Sequence, residues 1–179
     1  MLLKDKVVIV SGVGPGLGQE LSTLAAVEGA AAVVLAARTP QKLDAAEQEI
    51  RELGLGTAVL KMPTDIADQA QCQALADRAV QEFGRIDVLF NSAYDPGSFE
   101  PIEQADMAGW RRAMDVNFFG TMHLTQACVP AMKEGGGGAV VMIATMVEHK
   151  PLATQAGYGA SKSALRCATK HLALELGQF

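Results

Sequence analysis

The sequence predicts a doubly wound α/β fold, a mostly parallel sheet covered by helices on both faces. Two observations predict it. Short apolar, β-branched runs alternate with longer segments of helical period along the 179 residues. The runs are almost continuously apolar, as strands buried on both faces must be. Strict strand–helix alternation then implies βαβ units with right-handed crossovers.

Taken in order, Val7–Val10 reads as a buried strand and Leu17 to about Glu28 as a helix. Ala32–Ala36 is a second strand, followed by a helix over Gln41–Leu53 with Leu43, Ala46 and Ile50 on one face. Thr57–Leu60 is a third strand, Ala67–Phe83 a third helix and Ile86–Phe90 a fourth strand. A loop rich in Pro, Gly and Ser leads to one long helix, Met107–Lys133, which the tetraglycine Gly135–Gly138 ends. Ala139–Ile143 is strand five, and a last helix spans Ala156–Leu176. With no repeat and no low-complexity linker, residues 1–179 read as a single domain. The ligand crevice of such a fold lies beyond the carboxyl ends of its strands.

Composition narrows the function classes. A net charge of −5, without a basic run, argues against a nucleic-acid surface. No stretch has the length and apolarity of a membrane span, and no long apolar run with a cleavage site opens the chain. A soluble, cytoplasmic protein is expected. Cys72, Cys128 and Cys167 are scattered and odd in number, so reduced thiols are expected rather than disulfides. His123, His149 and His171 form no metal-ligand pattern, and no metal site is expected.

Ser11-Gly12-Val13-Gly14-Pro15-Gly16-Leu17-Gly18 joins the first strand to the first helix. Glycines there permit positive φ and close approach of the backbone to a pyrophosphate, which the helix N-terminus then faces. Ser11, Gly12, Gly16, Leu17 and Gly18 are the candidate contacts. The spacing of Gly12, Gly16 and Gly18 departs from GxGxxG and resembles the TGxxxGxG turn of short-chain dehydrogenases/reductases, with Ser11 in place of Thr. The resemblance implies a Rossmann-type fold and a nicotinamide cofactor.

The second strand ends Leu35-Ala36-Ala37-Arg38, without the acid that would bind a ribose hydroxyl of NAD. Arg38 suits a 2′-phosphate, or is simply an exposed arginine at a strand end. NADP(H) is favoured over NAD(H), although the glycine turn itself carries no second basic residue. The resemblance further implies that Asp65 and Ile66 flank the adenine. It also implies that Asn91 and Ala93, in Asn91-Ser92-Ala93, line the cofactor, with strand-end stabilisation the other role open to Asn91.

Tyr158-Gly159-Ala160-Ser161-Lys162 is the strongest signal. Residues four apart share a helix face, and a phenol of ordinary pKa near 10 needs a neighbouring cation to exchange protons at neutral pH. The resemblance makes Tyr158 the proton donor and acceptor, with Lys162 lowering its pKa and binding the cofactor ribose. Thr145 stands where the family has a catalytic Ser, and Asn117 where it has an Asn that holds a water connecting Lys162 to solvent. The implied activity is hydride transfer between NAD(P)(H) and a secondary alcohol or ketone, in a homodimer or homotetramer. The alternative is a non-catalytic nucleotide-binding or scaffold domain. The family continues past its last helix with a sixth strand, a substrate lid and a seventh strand. The sequence ends at Phe179, so those final strands are expected to be absent.

Overall fold

The computed structural model describes residues 1–179. Five strands alternate with helices: β1 (Val7–Ser11), α1 (Leu17–Val27), β2 (Ala32–Ala37), α2 (Pro40–Glu52), β3 (Ala58–Pro63), α3 (Gln69–Phe83) and β4 (Val88–Asn91) come first. They are followed by α4 (Met107–Met114), α5 (Thr121–Glu134), β5 (Ala139–Met142) and α6 (Ala156–Leu176). The sheet order is β3-β2-β1-β4-β5, and all four pairings are parallel. The order reverses at β1, where the connection passes from the β2 side to the β4 side, so a crevice opens between the carboxyl ends of β1 and β4. Both faces of the central strands are covered. Val7, Ile9, Val34 and Leu89 pack with α3 and α5, whereas Val8, Val10, Val33 and Leu35 pack with α1 and α2. In these 179 residues β5 pairs on one edge only.

Several boundaries move for local physical reasons. Helix α3 starts at Gln69 because the Asp68 carboxylate accepts the main-chain N–H groups of Ala70 and Gln71. Strand β3 runs on to Pro63 because its register with β2 continues to Ala37. The expected single helix Met107–Lys133 holds in extent but is interrupted by a π-turn, Asp115–Gly120, around Asn117. Beyond α5, Gly136 and Gly137 take φ of 90° and 115°, a conformation that suits glycine and lets the chain reverse into β5.

At the opposite end of the sheet from the crevice, Asp87 ties the bottom together. Its buried carboxylate accepts the Val7 N–H at 2.9 Å and pairs with Arg85 and Lys6. Burial pushes its pKa up, but Arg85, the Val7 N–H and Lys6 outweigh it and hold the carboxyl below its ordinary value. The unfolded chain therefore binds this proton more readily than the folded one, so the stabilisation is present above about pH 4 and lost as acidification protonates the folded carboxyl. Asp87→Ala orphans the Val7 N–H and is expected to cost about 1–3 kcal/mol at neutral pH. Urea melts at about pH 7 and about pH 3 should show that difference shrinking.

Candidate active site

A cleft of about 430 Å³ opens at the carboxyl ends of the strands. It runs from the β1–α1 turn, past the ends of β2 and β3 and the exit of β4, to the start of α6. The turn is shaped by two glycines that no other residue could replace without displacement. A Cβ on Gly12 (φ 79°) would stand 2.4 Å from the Ala93 backbone, and one on Gly18 would stand 2.2 Å from the Gly12 carbonyl. These contacts hold the turn tight against the β4 exit. Gly16, at φ 106°, has nothing within 4 Å of its missing Cβ, so open space lies before it. It caps α1 without any side-chain hydrogen bond, which leaves the first amides of the helix free for an anion.

Along one wall stand Thr64, Asp65 and Ile66, after β3, and opposite them Ser92, Ala93 and Tyr94. Arg38 lines the cleft at the end of β2 and is exposed. Lys42 joins it there. Its side chain crosses the glycine turn, with Cδ 3.0 Å and Nζ 3.6 Å from where a Cβ on Gly14 would stand. The turn therefore has a second cation, supplied by α2. Lys42 is the third residue of that helix, and helical side chains tilt toward the N-terminus, which is the signal that could have revealed it.

Two of the candidate cofactor residues do not face the cleft through their side chains. Ser11 is buried, and its hydroxyl donates to the Phe90 carbonyl at 3.4 Å. Asn91 is buried too, donating to Thr125 Oγ1 at 3.1 Å and Met142 Sδ at 3.3 Å. Its side chain braces the sheet, while the residues after it form the wall.

Tyr158 and Lys162 lie in the first two turns of α6 and line the far end of the same cleft. Their helix is seated by Gly157, against which the Trp110 ring of α4 packs so closely that a Cβ would stand 2.6 Å from Cγ. Lys162 is 2% exposed and donates to the Ile143 carbonyl at 2.7 Å. Burial pushes its pKa down to about 8, against the opposing pull of the Glu148 charge. Thr145 follows Ile143 by two residues at the β5 exit, with its Oγ1 accepting the Val147 N–H at 3.4 Å.

Asn117 is fully buried, and its side chain makes three hydrogen bonds. Oδ1 accepts the Asp95 N–H at 2.7 Å, while Nδ2 donates to the Asp95 carbonyl at 2.8 Å and to Ser161 Oγ at 2.9 Å. Ser161, within the Tyr–Lys interval, in turn donates to the Tyr158 carbonyl. The π-turn is thus stitched to both the β4 exit and α6. Elsewhere, burial raises the thiols of Cys72 and Cys128 to about 11 and about 12, which leaves them protonated and inert, and Cys167 is exposed. No cluster of three or more metal-binding side chains forms, and no helix is long and apolar enough to cross a membrane.

A parallel sheet whose first turn offers free helix amides, with a phenol and a desolvated ammonium across the same crevice, defines the class of nucleotide-dependent oxidoreductases. Comparison with known proteins gives the family: residues 6–179 match the short chain dehydrogenase model, and the chain belongs to that family of NAD(P)-dependent oxidoreductases. It is 32% identical over 177 residues to the 7α-hydroxysteroid dehydrogenase of Escherichia coli K12, covering 98% of this chain and 67% of that protein. Among solved structures, NAD⁺-bound xylitol dehydrogenase superposes with a TM-score of 0.94 at 29% identity, over 99% of this chain and 67% of the other. A 7α-hydroxysteroid dehydrogenase complexed with NADH and 7-oxo glycochenodeoxycholic acid gives 0.91 at 31% identity, over 98% and 67%. The chain spans about two thirds of the length of these relatives.

Proposed function

We propose that the protein reversibly transfers a hydride between NADP(H) and a secondary alcohol or ketone, with Tyr158 as the proton donor and acceptor. The observation that carries this reading is that Tyr158 and the buried Lys162 line the same cleft as the glycine turn and its free helix amides. The cleft fits a dinucleotide: the open space before Gly16 suits a pyrophosphate, and the Asp65–Ile66 wall suits an adenine. When bound, the nicotinamide supplies or accepts the hydride.

The chain's own residues handle the proton and the developing charge. In reduction, negative charge builds on the substrate oxygen and needs both a hydrogen-bond donor and a proton. Thr145 Oγ1 already accepts the Val147 N–H, so its hydroxyl hydrogen remains available to that oxygen. Tyr158 gives the proton, and the adjacent Lys162 ammonium favours the phenolate left behind. Lys162 also offers donors to the cofactor ribose. Replacement protons reach Lys162 through a water held at the π-turn. Both Asn117 Nδ2 hydrogens and one lone pair of Oδ1 are committed, so the water would bond the remaining Oδ1 lone pair or main-chain carbonyls around the π-turn. Thr145→Val keeps the shape but removes the donor, and is expected to lower turnover by about 10²–10³-fold, whereas Thr145→Ser should retain it.

Cofactor choice rests on charge at the end of β2. The solved relatives above carry NAD⁺ and NADH. In this chain Arg38 and Lys42 both line the cleft and no acid stands at Ala37, which supports a 2′-phosphate there. A guanidinium fork binds phosphate by charge-assisted hydrogen bonds. Arg38→Ala is expected to weaken NADPH binding by about 1–3 kcal/mol while leaving NADH nearly unchanged. Parallel fluorescence titrations with the two reduced cofactors measure this directly. Equal losses for both, or none for NADPH, would contradict the preference. Assays of cofactor oxidation over a panel of ketones test the activity itself.

A further inference from the structure

We propose that Glu148, clamped by Arg166, is a positioning residue for the reacting groups: it fixes the main chain of Thr145 and supplies the negative charge that faces the Lys162 ammonium. The inference rests on the reading of Thr145, Tyr158 and Lys162 given above, and nothing in the family match assigns Glu148 a part.

Glu148 closes a three-residue 3₁₀ turn, Met146–Glu148, at the exit of β5. The turn is a capping box. Glu148 Oε1 accepts the Thr145 N–H at 3.3 Å, while Thr145 Oγ1 accepts the Val147 N–H. The reciprocal bonds restrain both the backbone and the χ1 angle of Thr145, and so the direction in which its hydroxyl can donate. A capping box alone needs only an acceptor, and a glutamine would serve. The second oxygen shows that charge matters here. The Glu148 side chain is 1% exposed, and Oε2 lies 2.7 Å from Arg166 Nε. No donor is aimed at it well enough for a hydrogen bond, so the contact is a pairing of charges. A buried carboxylate oxygen without a hydrogen bond is costly.

Arg166, the partner of that carboxylate, is the third member of the stripe Tyr158, Lys162, Arg166, residues spaced by four on one face of α6, so the charge lies one helical turn from Lys162 along that face. Burial drives Lys162 toward the neutral amine, and Glu148 opposes it. The elements packed on α6 are α4, the π-turn, the 3₁₀ turn and β5. Their remaining charged side chains are Arg111 and Arg112 on α4 and Asp115 in the π-turn, all exposed, while β5 carries none. On α6 itself the neighbours are Tyr158 and Arg166. Glu148 is therefore the one buried carboxylate among them, and Arg166 sets how much of its charge Lys162 feels.

The arrangement predicts opposite effects from its two halves. Glu148→Gln keeps an acceptor for Thr145 but removes the charge, and leaves Arg166 unneutralised. The alkaline limb of kcat/KM for ketone reduction, which requires a charged Lys162, should move to lower pH by about one unit. Arg166→Gln leaves Glu148 unshared and should move the limb to higher pH, and the double variant should return near the parent. Glu148→Ala also opens the cap and should add a loss of about tenfold at all pH values; an Ala variant matching Gln would overturn the role assigned to the cap.

A second readout is independent of turnover: the pH dependence of Lys162 acylation by acetic anhydride, followed by mass spectrometry in each variant. Opposite shifts of Lys162 reactivity in the two single variants support the proposal. Unchanged reactivity in both, or shifts in the same direction, overturn it. If reactivity shifts as stated while the rate profile stays fixed, Glu148 does act on Lys162, and it is the catalytic reading of Lys162 that fails. Should Glu148→Gln not fold, the direction of the Arg166→Gln shift decides alone.

Discussion

Tyr158→Phe is expected to reduce turnover about 10³-fold or more while NADPH affinity stays within a few-fold of the parent. The substitution removes one hydroxyl from a residue that lines the cleft only at its far end, away from the glycine turn and from Arg38 and Lys42. In the proposed mechanism it takes away the member of the Tyr–Lys pair that hands a proton to the substrate oxygen, since Lys162 lies deeper and donates to the Ile143 carbonyl. Stopped-flow reduction of a ketone, paired with fluorescence titration of the cofactor, separates the two effects. Comparable losses in binding and turnover would assign Tyr158 to cofactor binding instead of proton transfer.

Lys162→Met is the second large effect, with an opposite signature in stability. Turnover should again fall by about 10³-fold, and cofactor affinity should fall with it, since in the proposed mechanism the same ammonium serves phenol and ribose. The melting temperature should not fall. With a folded pKa of about 8 against an ordinary 10.5, the charged amine is disfavoured in the fold, a penalty present below about pH 8 and relieved as both states lose the proton above about pH 10.5. Methionine fills the same volume without that penalty, which offsets the lost bond to Ile143. Differential scanning fluorimetry at about pH 7 measures the outcome. A drop of several degrees would mean that Lys162 holds the fold together rather than being held against its preference.

Much of this arrangement is legible in the amino-acid sequence itself. The continuous apolar runs at Val7–Val10 and Ala32–Ala36 specify buried parallel strands, and both are central in the sheet. Gly12 and Gly18 signalled a tight turn, and the backbone approaches of 2.4 Å and 2.2 Å to their missing Cβ atoms give the reason. The Tyr158–Lys162 spacing placed both on one helix face, where the cleft finds them. What was not legible depends on contacts between distant segments. Ser11 and Asn91 carry hydrogen-bonding groups in the expected places, but the partners that turn them inward, Phe90, Thr125 and Met142, come from other elements. Nothing in the helical pattern around Asn117 announces a π-turn, because its cause is a set of bonds to Asp95 and Ser161. Lys42 and Glu148 were nearer to hand. The first is betrayed by its place in the opening turn of α2, the second by the Thr-x-x-Glu pattern of a capping box.

The most direct test of the proposed reaction follows an isotope. NADPH carrying deuterium at the nicotinamide C4 position that transfers is incubated with the protein and a reducible ketone, and the alcohol product is examined by mass spectrometry and proton NMR. The cleft geometry predicts one deuterium on the carbinol carbon of each product molecule, and none when Tyr158→Phe replaces the parent protein. Saturable NADPH binding without labelled alcohol, across ketones of varied size, would contradict hydride transfer and leave a domain that binds the nucleotide without using it.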